Sequence, residues 1–261
     1  MIKKFYFQGE NEGDVLYITD DVGKYASLMS EGAFVVPVMT DDNKDSSDAF
    51  SGSDHVLTDL NEILDAGSDK EVFVEGKDYI PDIITKIYQR KASLPWTILE
   101  TKNLLVREMT VEDVDEFYRI YKDPSITEFM EPLFDDPDDE KLYTRNYIKD
   151  IYGFYGFGLW TVIYKESGKV IGRAGISMRD GYYDPELGFV IEKEYQNRGL
   201  AYEVCEAILR YARDELEMDT VEAFIMPENK KSLALIDKLG FIRKDIVELN
   251  GTDHIRFEKK M

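Results

Sequence analysis

The sequence predicts an α/β protein of two domains. Three observations carry that reading. Short β-branched runs alternate with helical segments before residue 92, the break Ser93-Leu-Pro-Trp96 follows, and a second, strongly periodic series of strands and helices fills the rest. The chain has 261 residues, which at about 150 residues per domain suits one or two domains. Hydrophobic residues make up 43 % and aromatics 13 %, enough for packed cores and against disorder. A single cysteine, Cys205, excludes a disulfide scaffold. No apolar run reaches the roughly 18 residues of a spanning helix, and residues 1–12 turn acidic too early for a secretory signal. The expectation is a cytoplasmic protein with no membrane partner. Acids number 53 against 32 bases, a net charge of −21. Such a charge repels phosphate backbones and no basic stripe is present, so nucleic acid is not an expected partner. The acidic run Asp135 to Glu140 reads as solvated surface, with an acidic mouth that attracts cationic amines as the alternative.

The first domain, 1–92, reads as a small α/β layer with a short parallel sheet. Asp14 to Thr19 is β-rich, Lys24 to Glu31 is helical and stops at Gly32, and Ala33 to Met39 has the apolar, β-branched character of a buried strand. Asp54 to Leu57 is a further short strand and Leu60 to Leu64 a helical turn. A helix spans about Pro81 to Lys91, with Ile83, Ile84, Ile87 and Tyr88 on one face. Residues 93–101 form the linker.

The second domain, 102–261, opens with a strand over Asn103 to Glu108. Thr110 and Asp113 make an approximate capping box, and the helix after it has Val114, Phe117, Tyr118 and Tyr121 on one face. A second helix runs through Leu142, Tyr143, Tyr147, Ile148 and Ile151. Strands Leu159 to Tyr164 and Val170 to Met178 suit a hairpin around Ser167-Gly168, and Glu186 to Ile191 is a further strand. Beyond it, Ala201, Val204, Cys205, Ile208, Leu209, Ala212 and Leu216 recur with helical period. Gln196 to Ala201 is therefore a strand-to-helix turn. Its free N–H groups and the positive end of the helix dipole suit an anion, above all a pyrophosphate. Gly199 permits close approach and Arg198 can add charge-assisted bonds. The turn lacks the Gly-Lys-Ser/Thr ending of a Walker loop and two of the three glycines of the dinucleotide fingerprint.

Gln196-x-x-Gly199-x-Ala201, after an apolar strand ending in Val190-Ile191, resembles the acyl-CoA pyrophosphate loop of the GNAT superfamily of N-acetyltransferases. A second match follows: strand Val221 to Met226, then Asn229-x-x-Ser232-x-x-Leu235, then Lys238-Leu-Gly-Phe241. Leu105-Val-Arg-Glu-Met-Thr110 and Glu186-Leu-Gly188 resemble the ribosomal-protein N-terminal acetyltransferases of that superfamily. The resemblance covers about residues 102–261. It implies a mixed central sheet splayed between its fourth and fifth strands, with acetyl-CoA as cosubstrate and direct transfer to a primary amine. The pantetheine arm is expected along Phe189, Val190 and Ile191. The pyrophosphate is expected on Gln196, Asn197, Arg198, Gly199, Leu200 and Ala201, and Asn229 and Ser232 on the arm's other side. Glu186 is the candidate base, since a partly buried carboxylate can accept the ammonium's proton. Ser232 is the candidate acid, because the tyrosine common in the family is Ile236 here. Cys205, on the apolar helix face, reads as a packed thiol.

For the acceptor, the segment Tyr152 to Gly158 is aromatic and glycine-rich. Tyr155 and Trp160 are expected to line a pocket and Asp184 to meet an amine's charge. His55 and His254 are isolated, and no metal is expected. The acceptor is a small-molecule amine or a protein N-terminus, and a second copy of the chain is a candidate partner in a homodimer. The alternative function is a non-catalytic acyl-CoA-binding sensor. In the first domain, residues 14–64 faintly resemble the later half of a haloacid-dehalogenase-like domain, with Asp20-Asp21 at its acidic pair. The nucleophile motif of that family has no room upstream, so Asp20 and Asp21 read as turn and cap residues.

Overall fold

The computed structural model describes residues 2–7, 15–40, 42–43, 50, 71–74, 86, 88–89, 92 and 94–261. Two compact units divide the chain, Met1–Trp96 and Thr97–Met261, and each is described by itself. None of the described helices is long and apolar enough to cross a membrane.

The first unit holds β1 (Ile2–Phe7), β2 (Val15–Thr19), α1 (Val22–Ser30), β3 (Phe34–Pro37) and β4 (Glu71–Val74). The sheet order is β3-β2-β1-β4. The pairs β2–β3 and β1–β4 are parallel, as the alternation of strand and helix requires, but β1 and β2 pair antiparallel. The sheet is therefore mixed. The difference comes from β1, an N-terminal strand that the sequence reading left out. Phe5, Leu16, Ile18, Val35 and Val36 are fully buried. Asp21 caps α1, its Oδ1 accepting from Lys24 N–H at 3.0 Å, which is the cap role expected of it. Residues 86, 88 and 89 are helical. The expected elements at 54–57 and 60–64, together with His55, Pro81, Ile83, Ile84 and Ile87, lie outside the described residues.

The second unit contains β5 (Thr97–Glu100), β6 (Leu104–Arg107), α2 (Val114–Tyr121), α3 (Pro137–Asn146), β7 (Leu159–Tyr164), β8 (Lys169–Ser177), β9 (Glu186–Ile191), α4 (Leu200–Asp214), β10 (Thr220–Ile225), α5 (Lys230–Lys238), β11 (Ile242–Leu249) and β12 (Thr252–Lys260). They form one eight-stranded sheet in the order β11-β12-β10-β9-β8-β7-β6-β5. Residues 97–100, read as linker, are its edge strand, paired with β6.

Local chemistry fixes the elements that frame the site. Asp113 accepts both guanidinium nitrogens of Arg107 at 2.7 Å, the N–H of Thr110 at 2.9 Å and the hydroxyl of Thr161 at 2.8 Å. The box residue thus ties α2 to β6 and β7. The buried face of α2 is Val114, Phe117, Ile120 and Tyr121. Ile120 takes the inward position expected for Tyr118, whose hydroxyl donates to Phe134 O instead. Leu142 and Tyr143 are exposed, and α3 turns Glu140 and Thr144 inward. Residues Tyr147–Tyr152 continue α3 as a π-helical turn, and Gly153–Tyr155, in the aromatic and glycine-rich segment, adds a helical turn. Tyr152 is buried, and its hydroxyl bonds to Leu159 O and Met109 N–H. Helix α4 buries Leu200, Val204, Cys205, Ala207, Ile208, Leu209 and Ala212, following the predicted period. Asn229 caps α5 through Ser232 N–H at 3.1 Å. Gly240 ends that helix at φ +80°, where a left-handed C′ residue is needed.

Candidate active site

The sheet opens between β9 and β10. The parallel pair keeps one register contact, Glu222 beside Glu186, with Glu222 N–H donating to Pro185 O at 2.8 Å. On its other edge β9 pairs with β8 along its whole length. Glu192 N–H reaches Ile171 O across that edge, so by antiparallel alternation Val190 and Gly188 face β8. The main-chain groups of Phe189 and Ile191 therefore face the gap. Ile191 O is already taken by Gln196 Nε2 at 2.9 Å. Phe189 retains both its N–H and its C=O on the open side.

The loop after β9 builds an amide nest. Asn197 has φ +59° and Gly199 φ +81°, and successive N–H groups in such left-handed turns converge on one point. Gly199 is the N-cap of α4, and no side chain caps the helix. The first-turn amides of Leu200 and Ala201 therefore lack partners within the helix. The carboxylate nearest in sequence is turned away: Glu203 accepts from Thr101 Oγ1 at 2.6 Å, Asn103 N–H at 2.8 Å and Asn103 Nδ2 at 2.7 Å. Burial raises the pKa of that carboxyl, but these hydrogen bonds outweigh it and hold the group below its usual range. Arg198 is exposed and stacks over Tyr195, 5.0 Å from the ring centre.

Gln196 departs from expectation. Its own N–H is bonded to Lys193 O at 3.2 Å and is not free for a ligand. Its side chain instead bridges the walls of the gap, from Ile191 O to Lys231 Nζ at 2.9 Å. Lys231 lies in the first turn of α5, beside Asn229 and Ser232, and was not anticipated. Ser232 is partly exposed, its hydroxyl without a hydrogen-bond partner among the described residues. Ile236 is fully buried.

The two faces of the sheet differ. Trp160, Ala174 and Phe189 stand in one cross-strand row, and the Trp160 ring meets Tyr211 of α4 edge-on at 5.7 Å. Trp160 is fully buried and on the α4 face, so its expected place in the acceptor pocket is overturned. Strand alternation, with its period of two, sets it opposite the α2 face. Thr161, Arg173 and Val190 form the neighbouring row, on the face of α2, where Arg173 lies over Phe117 and Tyr121. Glu186 belongs to that second face, and its register partner Glu222 with it.

Glu186 is largely buried, and its Oε2 accepts from Arg179 Nε at 2.6 Å. Arg179 also stacks over Phe224 at 5.3 Å. Glu222 is 2 % exposed and bonds Arg256 Nη1 at 2.9 Å, while its Oε2 is buried without a partner. Burial raises its pKa against the opposing pull of Arg256, and Asp184 adds to the rise. Asp184 is half-buried. Tyr155 is exposed and touches Phe154 at 4.8 Å and Phe157 at 5.6 Å. Arg173, Arg179 and Glu222 were missed. Arg173 and Glu222 carry a readable signal, a charge inside the apolar runs 170–176 and 221–225; Arg179, on a loop, carries none.

Burial pushes the Cys205 thiol up, as suits an inert packed side chain. No cluster of metal-ligating side chains occurs among the described residues. A cavity of about 300 Å³ runs along the flank of α4 from Tyr202 to Arg213 and Met261, apart from Glu186; the opening in the sheet, with its unpaired main chain, is the better guide to chemistry.

Comparison with known proteins agrees with this geometry. The family model described as acetyltransferase (GNAT) domain matches residues 103–242. The uncharacterized N-acetyltransferase p20 of Bacillus licheniformis is 28 % identical over 153 residues, 57 % of this chain and 84 % of that protein. The [ribosomal protein uS5]-alanine N-acetyltransferase of Escherichia coli is 27 % identical over 183 residues, 63 % of this chain and 91 % of its own. Among solved structures, a ribosomal L7/L12 alpha-N-protein acetyltransferase in complex with coenzyme A superposes with a TM-score of 0.54 at 10 % identity, covering 64 % of this chain and 98 % of that one. The chain belongs to the GNAT family of acetyltransferases.

Proposed function

We propose that the second unit carries the acetyl group of acetyl-CoA to a primary amine by direct attack, on the face of the sheet that holds Glu186. The observation that carries the reading is the opening beside β9, which ends in an uncapped helix N-terminus. A thioester-bearing arm needs an extended strand with free N–H and C=O groups, and a diphosphate needs converging amides. Phe189 supplies the first. Asn197, Arg198, Gly199, Leu200 and Ala201 supply the second, with Lys231 adding positive charge from α5. Val190 and Ile191 give the arm an apolar wall, and Asn229 and Ser232 bound it from α5. The GNAT relative solved with coenzyme A supports the cosubstrate.

In the transfer the amine's lone pair forms a C–N bond at the thioester carbonyl, the C–S bond breaks, and coenzyme A leaves as thiolate. The ammonium proton passes to Glu186, directly or through one water, by the free Oε1. As the C–S bond breaks the attached nitrogen sheds its second proton, and that proton passes to the thiolate through water or by relay over Ser232, the nearest hydroxyl on α5. Asp184 and Tyr155 are assigned as the amine-recognising groups. The acceptor is a small-molecule amine or a protein N-terminus; the ribosomal-protein relatives support the latter.

The deciding experiment is release of free thiol from acetyl-CoA with a panel of amines: polyamines, amino acids, aminoglycosides and alanine-starting peptides. Amine-dependent thiol release with matching acetylated product is expected. Binding of acetyl-CoA with no amine raising the rate above hydrolysis would move the chain to the sensor reading.

A further inference from the structure

Large apolar side chains left in water mark a docking surface when they are grouped, not when they are scattered. Among the described residues eleven are exposed, and five of them, Phe134, Leu142, Tyr143, Phe154 and Tyr155, fall within residues 134–155. They belong to α3 and the segments on either side of it. Their rings touch: Phe134 meets Tyr143 at 5.8 Å between centres, Tyr143 meets Tyr147 at 6.0 Å, and Phe154 meets Tyr155 at 4.8 Å. Helix α3 is inside out. The side chains it buries are Glu140 and Thr144, while its own large apolar residues, Leu142 and Tyr143, are exposed. A helix that served only its own core would show the opposite pattern.

The charge beside this face is all of one sign. Asp135, Asp136, Asp138, Asp139 and Glu140 lead into α3 or form its first turn. Phe134 sits among them: its C=O accepts from the Tyr118 hydroxyl at 2.6 Å, and its N–H donates to Glu140 Oε2 at 3.1 Å. Desolvation raises the pKa of Tyr118, and Glu140, Asp136, Asp135 and Asp139 each add to the rise, so four carboxylates lie around that phenol. Asp135, Asp136, Asp138 and Asp139 have no ion-pair partner among the described residues; Lys141 of the same helix reaches Asp115 instead, at 3.8 Å. The helix dipole favours acids in a first turn, but it does not call for exposed rings next to them.

Glu131 makes the face continuous with the site around Glu186. It is exposed, and its Oε1 accepts from Asn250 Nδ2 at 2.7 Å, at the tip of the β11–β12 hairpin. On one side it acts on Tyr143, whose pKa is raised by burial, against Arg173, with Glu140 and Glu131 adding to the rise. On the other it acts on Arg179. Burial lowers the pKa of that guanidinium, but Glu186 and then Glu131 raise it, and the net shift is upward. Arg179 in turn holds Glu186 at 2.6 Å. Two more of the eleven exposed apolar residues, Met178 and Tyr183, lie on the β8–β9 loop that carries Arg179. The aromatic face thus leads over the surface to the proposed base, by way of Glu131 and Arg179.

We infer that the outer face of α3 is a docking surface for the acceptor, and that the acceptor is a polypeptide whose N-terminus is followed by a segment of basic and apolar residues. The inference rests on the acetyl-transfer reading above. Lysine and arginine heads of that segment meet Asp138 and Asp139 or lie over the rings of Phe134 and Tyr143, and its apolar side chains cover Leu142. Aromatic side chains at such a surface supply contact area, and the unpaired carboxylates select the sign of the partner. A small amine reaches Glu186 without touching this face, so the face acts on KM and not on the chemical step.

The test uses the full-length wild type, the double variant Phe134→Ser with Tyr143→Ser, and the double variant Asp138→Asn with Asp139→Asn. The acceptors are alaninamide, the peptide amide Ala-Ala-Gly-Gly-Leu-Lys-Leu-Lys, and the same peptide with glutamine or with glutamate in place of lysine. For wild type, kcat/KM is expected to be at least about tenfold higher for the lysine peptide than for the glutamine peptide, equivalent to about 1.4 kcal/mol. The gap lies in KM, and the glutamate peptide is the poorest of the three. Each double variant removes most of the gap and leaves alaninamide turnover unchanged, which checks that fold and base are intact. Calorimetric titration with the N-acetylated lysine peptide reads docking without chemistry, and is expected to be about tenfold weaker for both variants. Equal kcat/KM for the three peptides, with equal binding of the acetylated peptide to all three proteins, overturns the inference. A wild type that sediments as a dimer, with the Phe134 and Tyr143 variant a monomer, also overturns it, because a second copy then covers the face. Absence of thiol release with alaninamide and every peptide counts against acetyl transfer instead, and the titration then still decides whether the face takes a cationic segment.

Discussion

The two sides of β9 are made of different materials. Towards α4 and α5 the site is main chain: the free edge of Phe189, the nest at Asn197 and Gly199, and the open first turn of α4. On the α2 face it is side chain: Glu186 on Arg179, Glu222 on Arg256, and Arg173 over two aromatic rings. Backbone amides bind a diphosphate whatever side chains they carry, so that side is set by conformation. The other side is set by residue identity, and is where one acetyltransferase can differ from another in acceptor.

If the comparison is right, the largest single effect belongs to the side-chain face. Glu186→Gln preserves shape and an acceptor for Arg179 but removes the proton-accepting oxygen. Loss of a general base costs two to four orders of magnitude, so kcat is expected to fall about 100-fold with KM for acetyl-CoA unchanged. Steady-state kinetics at saturating amine checks this. A shared loss in acetyl-CoA KM would mean that the two faces are not separate in function.

The main-chain side predicts a different pattern, in which a change of backbone outweighs loss of a charge. Gly199 has φ +81° with open space around its missing Cβ, so Gly199→Ala meets strain and no clash. At about 1–2 kcal/mol for a left-handed non-glycine residue, acetyl-CoA affinity is expected to fall about tenfold. Arg198→Ala removes a guanidinium that stacks on Tyr195, and on an exposed surface its loss is expected to cost no more than about twofold. Calorimetric titration with acetyl-CoA ranks the two. The reverse order would make this a charge site with a permissive backbone.

The same contrast explains what could be read in advance. The strand-to-helix turn at 191–200 was legible because hydrophobic period and a lone glycine are local signals, as was the start of α5 from its capping Asn229. The faces of the strands were less so. Trp160 belongs to an alternating strand, but which parity faces α4 depends on partners more than forty residues away, and the aromatic character of its neighbours pointed to the wrong side. Tyr118 lost the inward position to Ile120 because its hydroxyl found Phe134 O. Gln196 fits the loop motif, yet its amide and side chain serve the protein itself, holding Ile191 O and Lys231. In the first unit β1 was missed because an antiparallel pairing such as β1 with β2 needs no crossover helix to announce it.

Smaller effects probe how the main-chain side is held in place. Glu203 clasps Thr101 and Asn103 and so anchors α4 to the β5–β6 turn. Its folded pKa lies below the ordinary 4.5, so its contribution is fully present above pH 4.5 and is lost as pH falls through the folded value. Glu203→Gln is expected to lose about 1 kcal/mol near neutral pH, hydrogen bonds to a charged group being discounted for solvent access. The difference from wild type should shrink on acidification below 4.5. Thermal unfolding of both proteins across pH 3 to 7 measures it; a gap constant with pH would mean that the clasp acts by shape alone.

The smallest effect is expected at Ser232. Its hydroxyl has no hydrogen-bond partner among the described residues, while its N–H is held by the Asn229 cap, so Ser232→Ala removes a proton donor and leaves the helix start intact. A thiol whose pKa is near 8.5 leaves readily as thiolate, and water can return the proton afterwards. A drop in kcat of about threefold is therefore expected, set against the far larger loss at Glu186, because proton removal from the ammonium must precede attack whereas protonation of the sulfur need not precede departure. A loss at Ser232 as large as that at Glu186 would make sulfur protonation part of the rate-limiting step, and would move half of the acid–base chemistry onto the α5 side of the gap.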